Sequence, residues 1–151
     1  MSTKQATIHQ LQGTTLLAKS DSNHWVVMDG SPTFGGSSAG SSPKELLLMA
    51  LGGCTANDVI PILKKKRIPL QKLEIHVTGN AREEHPQVFT AINIEYIFYG
   101  DDLDTEPLER AIELSMTKYC SISAMLRGTV ELTHSYRTVL IQDEAPAEML
   151  M

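Results

Sequence analysis

The sequence predicts an α+β fold with antiparallel sheets and two helices in one domain. The chain has 151 residues, of which 42% are hydrophobic and 21% charged, as expected for one globular domain with an ordinary core. Its patterns follow the order strand, strand, helix, strand, strand, helix, strand, without the alternation of strand and helix that builds a doubly wound sheet. We expect one domain over 1–151, with a core over about 7–140 and a tail over 142–151.

Net charge and cysteine content exclude several classes of protein. The formal net charge is -5, whereas nucleic-acid binding needs a basic surface. Residues 1–12 lack the apolar core of a signal peptide, and the longest apolar run, 46–51, is far shorter than a bilayer crossing requires. We therefore expect a cytoplasmic protein with no nucleic-acid or membrane partner. Two cysteines are also too few for a disulfide-stapled fold.

The N-terminal part of the chain predicts a hairpin followed by a loop. Residues 7–17 and 23–28 alternate between apolar and polar side chains and are separated by a polar turn. Residues 30–42 contain four glycines, five serines and one proline, which is a loop composition.

Three signals mark the start of the first helix. Ser42 is a favourable N-cap, a proline follows it, and Glu45 stands where it closes a capping box. Residues 46–51 are apolar on every side, which predicts a central, buried helix. One sheet covers only one side of such a helix. We therefore expect a homodimer in which the central helices meet near Gly52 and Gly53.

The second half of the chain predicts the remaining elements. Residues 73–77 and 92–98 alternate and indicate an antiparallel pair of strands. A second helix is expected over about 105–120, a turn-rich segment over 121–127, and a last strand over 129–141.

Cys54 and Cys120 are the residues best suited to carry chemistry. They lie in the middle of the first predicted helix and at the end of the second, and both thiols are expected to point inward. They are either inert apolar fillers or a redox pair in which one thiol condenses with the sulfenic acid of the other. Asp58 lies one helical turn after Cys54. No second cysteine or histidine stands at zinc-finger spacing, so we expect no metal and no other cofactor.

Three motifs surround these residues: SPKEL at 42–46, GGCT at 52–55 and YCS at 119–121. At this separation they resemble the OsmC/Ohr family, and within it the YhfA-like branch. The resemblance implies an intertwined homodimer with central helices between sheets and active sites at the subunit interface. It also implies reduction of organic hydroperoxides, reset by a dithiol reductant, with Cys54 as the peroxidatic and Cys120 as the resolving cysteine.

One feature departs from the family pattern. Peroxidases of the family carry an arginine in the N-terminal half that activates the thiolate, whereas the first arginine here is Arg67. A nearby cation lowers the pKa of a thiol, and we expect Lys118 or Arg127 to supply a substitute.

The sequence therefore predicts a peroxidase with weak activity. The predicted site residues are Cys54, Cys120, Glu45, Asp58, Lys118 and Arg127. The alternative is a non-catalytic member that binds a small apolar or thiol ligand, or senses redox state, at the dimer interface.

Overall fold

A computed structural model describes residues 3–141. It contains two three-stranded sheets and several helices, which confirms the predicted α+β class. Contacts within the chain form two compact units that divide between Leu47 and Leu48. The single domain over 1–151 stays a prediction, and the expected tail over 142–151 lies outside the described residues.

The sheet of the first unit has three antiparallel strands rather than the predicted hairpin. They are β1 (Ala6–Gln12), β2 (Thr15–Ser20) and β3 (Trp25–Met28), in that order across the sheet. The expectation of a single strand over 7–17 is wrong because the chain reverses at Gly13. This glycine has a φ of 57°, a conformation that glycine adopts without steric cost.

Asp29 organises the loop that follows β3. The residue is 3% exposed. Its carboxylate accepts hydrogen bonds from the hydroxyls of Thr14, Thr15 and Ser37 and from the backbone N–H groups of Gly30, Ser37 and Ala39. The bonds from the Ser37 and Thr14 side chains are the main reason that the pKa of Asp29 lies well below its ordinary value. One carboxylate thus satisfies several polar groups of a loop whose regular structure is a single 3-10 turn at Pro32–Phe34.

The predicted capping box starts α1 (Pro43–Lys65). The N–H of Ser42 donates to the Glu45 carboxylate at 2.6 Å, and the N–H of Glu45 donates to the Ser42 hydroxyl at 3.3 Å. One face of the helix is buried, while Met49 and Ile60 on the opposite side remain 57% and 45% exposed. Within one chain, the apolar helix is therefore covered on one side.

Helix α1 also has the length and hydropathy of a membrane span, with a mean hydropathy of 1.7 over its most apolar window. The central helix of a folded domain has the same properties. The expectation of no membrane partner stays a prediction.

The second unit contains a mixed sheet. Its strands are β4 (Lys72–Ala81), β5 (Phe89–Tyr99) and β6 (Glu131–Val139), in that order. Strands β4 and β5 pair antiparallel as predicted, but β5 and β6 are parallel, so the expectation of purely antiparallel sheets is wrong here. Residues 100–130 form a long helical crossover, which returns the chain to the end of the sheet where β5 began.

The crossover holds one more helix than predicted. It consists of α2 (Thr105–Leu114), a π-helical turn (Ser115–Tyr119) and α3 (Ser121–Leu126). The expected turn after Cys120 is helical because Cys120 itself caps α3, with its sulfur accepting the Ser123 N–H at 3.3 Å. Cysteine is not among the usual N-cap residues, so the sequence carried no capping signal here.

The core of the second unit lies between α1, β5 and α2. Its buried members are Leu51, Val59, Leu63, Ile92, Ile94, Tyr96, Phe98, Leu108, Ala111, Ile112 and Cys120. One of the two cysteines therefore belongs to the main core.

We expect Asp29→Asn to remove an acid-sensitive part of the stability. Because folding lowers the pKa of Asp29, its stabilisation is complete above the unfolded value of about 3.9 and is lost as the pH falls toward the folded pKa. Urea unfolding at about pH 6 and at about pH 3 should show wild type and variant converging at the acidic end. The exposed Asp101→Asn should match wild type throughout. A constant gap between wild type and Asp29→Asn would contradict this explanation.

Candidate functional site

The structure brings Cys54 and Cys120 together from positions 66 residues apart. Their sulfurs and a carboxylate oxygen of Asp58 all lie within 4.8 Å of one another. Cys54 and Asp58 share one face of α1, being four residues apart, and Cys120 stands between the π-helical turn and α3. Both cysteines are free thiols. A disulfide requires about 2.05 Å between the sulfurs. A small movement of the two side chains is therefore enough to bring the sulfurs to bonding distance.

The two thiols differ in their access to solvent. Cys54 is partly exposed, and the hydroxyl of Ser121 lies 4.0 Å from its sulfur. Cys120 is 3% exposed. Burial and the adjacent Cys54 thiol raise the pKa of Cys120, and the hydrogen bonds from Ser123 offset only part of this effect. A reagent arriving from water therefore meets Cys54 first.

A chain of buried hydroxyl groups ends at Asp58. The Tyr96 hydroxyl lies 2.6 Å from the Thr55 hydroxyl, which lies 2.9 Å from that of Ser115, which in turn donates to Asp58 at 2.8 Å. Tyr96, Thr55 and Ser115 are all 0% exposed. A hydroxyl donates a single hydrogen, so with Asp58 as the final acceptor each group donates toward the thiol pair.

The hydroxyls of this chain act as fixed hydrogen-bond donors and do not titrate near neutral pH. Burial is the main factor that raises the pKa of Tyr96 to about 12, which keeps its phenol protonated and able to donate. Among residues 3–141, no buried side-chain nitrogen or oxygen lacks a hydrogen-bond partner. The position of the Asp58 carboxylate is thus determined by partners from α1, β5 and the π-helical turn.

The two basic residues predicted to support the thiols make other contacts. The ammonium of Lys118 lies 5.3 Å from the ring centroid of Tyr119. The guanidinium of Arg127 donates a hydrogen bond to the backbone carbonyl of Met116. Within the described part of the chain, neither forms an ion pair with Asp58. Their role as substitutes for the family arginine stays a prediction.

Glu45 has a structural role in the capping box. The backbone N–H of Ser42, followed by its hydroxyl, lowers the pKa of Glu45. A role for Glu45 at the thiol site stays a prediction.

Sequence analysis missed the importance of Thr55, Ser115, Tyr96 and Ser121. A signal was present for two of them, because Thr55 and Ser115 are polar residues on otherwise apolar helix faces. Buried hydroxyls need partners, and two of them on different helices indicate a bond between those helices.

Comparison with known proteins identifies the family. The family model for OsmC-like proteins matches residues 35–135, which is most of the chain. The chain belongs to the OsmC-like family. Protein YhfA from Escherichia coli strain K12 is 44% identical over 135 residues, which cover 89% of this chain and 98% of YhfA. The resemblance stated from the motifs is thereby confirmed.

Solved structures agree with OsmC-like membership. A hypothetical protein from Aquifex aeolicus has a TM-score of 0.82 and 32% identity, covering 93% of this chain and 98% of its own. An organic hydroperoxide resistance protein, OsmC, from Legionella pneumophila has a TM-score of 0.68 at 15% identity. The match covers 92% of this chain and 98% of the Legionella protein. The second similarity establishes the shared fold alone.

We expect Ser115→Ala to destabilise the protein by about 1–3 kcal/mol, because it removes the hydroxyl that donates to Asp58 and leaves Thr55 with one buried partner fewer. Urea unfolding measures the change. The matched control is Ser121→Ala, since the exposed Ser121 hydroxyl makes a long contact of 4.0 Å with the Cys54 sulfur, and its loss should cost about 0.5 kcal/mol or less. Equal losses in the two variants would argue against the hydroxyl chain.

Proposed function

We propose that the protein reduces organic hydroperoxides with the thiol pair Cys54 and Cys120. The observation that carries this proposal is the approach of the two sulfurs to within 4.8 Å. Membership of the OsmC-like family supports it, since relatives of the same fold from Legionella pneumophila and Bacillus subtilis are named organic hydroperoxide resistance proteins.

In the first step Cys54 attacks, because it is the more accessible thiol. Its proton passes to the Asp58 carboxylate, and its sulfur attacks the terminal oxygen of the hydroperoxide and forms an S–O bond. The O–O bond breaks, the sulfur becomes a sulfenic acid, and the departing alkoxide takes the proton back from Asp58 to leave as an alcohol. The hydroxyl chain holds Asp58 in place for both transfers.

In the second step Cys120 resolves the sulfenic acid. Its sulfur attacks the sulfur of Cys54, a disulfide forms, and the sulfenic oxygen leaves as water. A dithiol reductant then restores both thiols by exchange. The short distance between the sulfurs favours this step over a second oxidation of Cys54.

The surroundings of the pair favour organic hydroperoxides and a modest rate. Tyr119, which precedes Cys120, and Met125 on α3 are 50% and 71% exposed. Apolar surface of this kind gains more from an organic substrate than from hydrogen peroxide. Lys118 contacts the ring of Tyr119 and Arg127 donates to the carbonyl of Met116. Among residues 3–141 neither forms an ion pair with Asp58, and without a cation beside the thiolate we expect a modest rate.

The contacts of Lys118 and Arg127 with Tyr119 and Met116 also favour a second candidate. A pair that oxidises slowly and re-forms its disulfide reversibly suits redox sensing, or binding of a small apolar or thiol ligand, without rapid turnover. The rate of hydroperoxide consumption separates the two functions.

We also propose a cytoplasmic homodimer that forms through the exposed face of α1. Met49, Gly53 and Ile60 lie on this face at helical spacing. A Cβ atom on Gly53 would meet nothing within 4 Å, whereas one on Gly52 would lie 3.1 Å from Val77. Gly52 thus packs within the chain, and Gly53 leaves room for a second helix to approach.

We expect measurable consumption of cumene hydroperoxide in the presence of dithiothreitol, faster than that of hydrogen peroxide. Cys54→Ser should abolish it, and Cys120→Ser should lose turnover and accumulate Cys54 sulfinic acid. Asp58→Asn should lower the rate about 10²-fold or more through loss of proton transfer, with Asp101→Asn as the unaffected control. Consumption by wild type no faster than by dithiothreitol alone would refute the peroxidase function.

We expect Gly53→Leu to convert the dimer to a folded monomer. The new side chain meets open space within the chain but overpacks a helix–helix interface, at a cost of about 1–3 kcal/mol or more. Light scattering measures the mass, and far-ultraviolet circular dichroism checks the fold. Lys65→Leu, at the exposed end of α1, should remain dimeric. A monomeric wild type would contradict the proposed assembly.

A further inference from the structure

We propose that the reduced protein binds one Zn²⁺ ion per chain through Cys54, Asp58 and Cys120. The three donor atoms lie within 4.8 Å of one another. In a tetrahedral site with Zn–S of about 2.3 Å and Zn–O of about 2.0 Å, donor atoms stand about 3.5–3.8 Å apart. Each pair of donors therefore has to close by no more than about 1.0–1.3 Å, which a side-chain rotation accomplishes.

The donor set suits zinc. Two thiolates and one carboxylate are ligands that Zn²⁺ prefers over the hard cations Mg²⁺ and Ca²⁺, and three protein ligands leave a fourth position for water. Two of the ligands lie four residues apart on α1, and the third comes from the cap of α3. The expectation of no metal rested on the absence of zinc-finger spacing around either cysteine. Cys54 and Cys120 are 66 positions apart, a separation from which their proximity cannot be predicted.

The groups around the donors form an outer shell. Ser115 donates to one oxygen of Asp58 at 2.8 Å, which orients the carboxylate and leaves its remaining lone pairs for a metal. The N–H of Ser123 donates to the Cys120 sulfur at 3.3 Å. Such contacts hold ligands in place and commonly change metal affinity 10–100-fold.

The negative charge of the three ligands also favours the binding of a cation. With both thiols deprotonated, the three ligands carry three negative charges. Lys118 and Arg127, the two basic residues nearest to Cys120 in sequence, are held by Tyr119 and Met116. A divalent cation would offset the negative charge of these three ligands.

Zinc binding would regulate the thiol pair. A sulfur bound to Zn²⁺ shares the electron pair that attacks the hydroperoxide, so the metal-bound form is protected from oxidation. When oxidation occurs, the two thiolates and one hydroperoxide, with two protons, give the disulfide, an alcohol and water, and Zn²⁺ is released. This regulatory consequence rests on the proposed function, whereas zinc binding itself does not.

The test is a titration of the reduced, oxygen-free protein with Zn²⁺ in competition with a chromophoric chelator. Co²⁺ serves as a second probe, since tetrahedral thiolate coordination produces charge-transfer and visible absorption bands. We expect one ion per chain, loss of the charge-transfer bands in the Cys54→Ser Cys120→Ser double variant, and at least tenfold weaker Zn²⁺ binding in Asp58→Asn. Asp101→Asn is the matched control and should bind as wild type does.

Wild-type affinity no higher than that of the double cysteine variant would overturn the proposed site, as would unchanged affinity in Asp58→Asn. Circular dichroism of each variant separates loss of binding from loss of fold. The titration contains no hydroperoxide, so its outcome is independent of the proposed peroxidase activity. If the protein is active, added Zn²⁺ should lower the rate in proportion to site occupancy.

Discussion

The hydroxyl group of Thr55 ties three elements together at one buried point. The Thr55 hydroxyl contacts Tyr96 on β5 and Ser115 in the π-helical turn. Ser115 in turn donates a hydrogen bond to Asp58 on α1. Thr55, Tyr96 and Ser115 are fully buried, and a lost hydrogen-bond partner costs more there than on the surface. These bonds fix the rotation of α1 against the crossover, and Cys54, the neighbour of Thr55, consequently faces Cys120. The meeting of the two thiols depends on this polar contact as well as on apolar packing.

Asp58 is an acidic neighbour of the thiol pair, whereas Lys118 and Arg127 contact Tyr119 and Met116. A carboxylate near a sulfur accepts a proton, whereas a guanidinium stabilises the thiolate that remains. The two arrangements lead to different chemistry at the same fold. In the proposed peroxidase reaction Asp58 accepts the thiol proton, and in the proposed zinc site Asp58 is one of three ligands. Both proposals therefore depend on this carboxylate.

Several features could be predicted from the sequence because they depend on local rules. Ser42, its following proline and Glu45 located the start of α1, and alternation located β4 and β5. The turn at Gly13 was missed because a lone glycine within alternating residues resembles a continuous strand. The parallel pairing of β6 and the capping of α3 by Cys120 depend on tertiary contacts that periodicity does not report. At the site, the motifs identified both cysteines, but the bond from Ser115 to Asp58 joins residues 57 positions apart and needed the structure.

The most direct test of this explanation is peptide mapping of wild-type protein after one equivalent of cumene hydroperoxide, without reductant. Trypsin releases Cys54 in the peptide 45–64 and Cys120 in the peptide 119–127. The proximity of the sulfurs predicts that these two peptides are recovered joined by a disulfide, with the loss of both free thiols from each chain. Recovery of both peptides with unmodified thiols, under conditions that oxidise free cysteine, would contradict the central claim that Cys54 and Cys120 act as a pair.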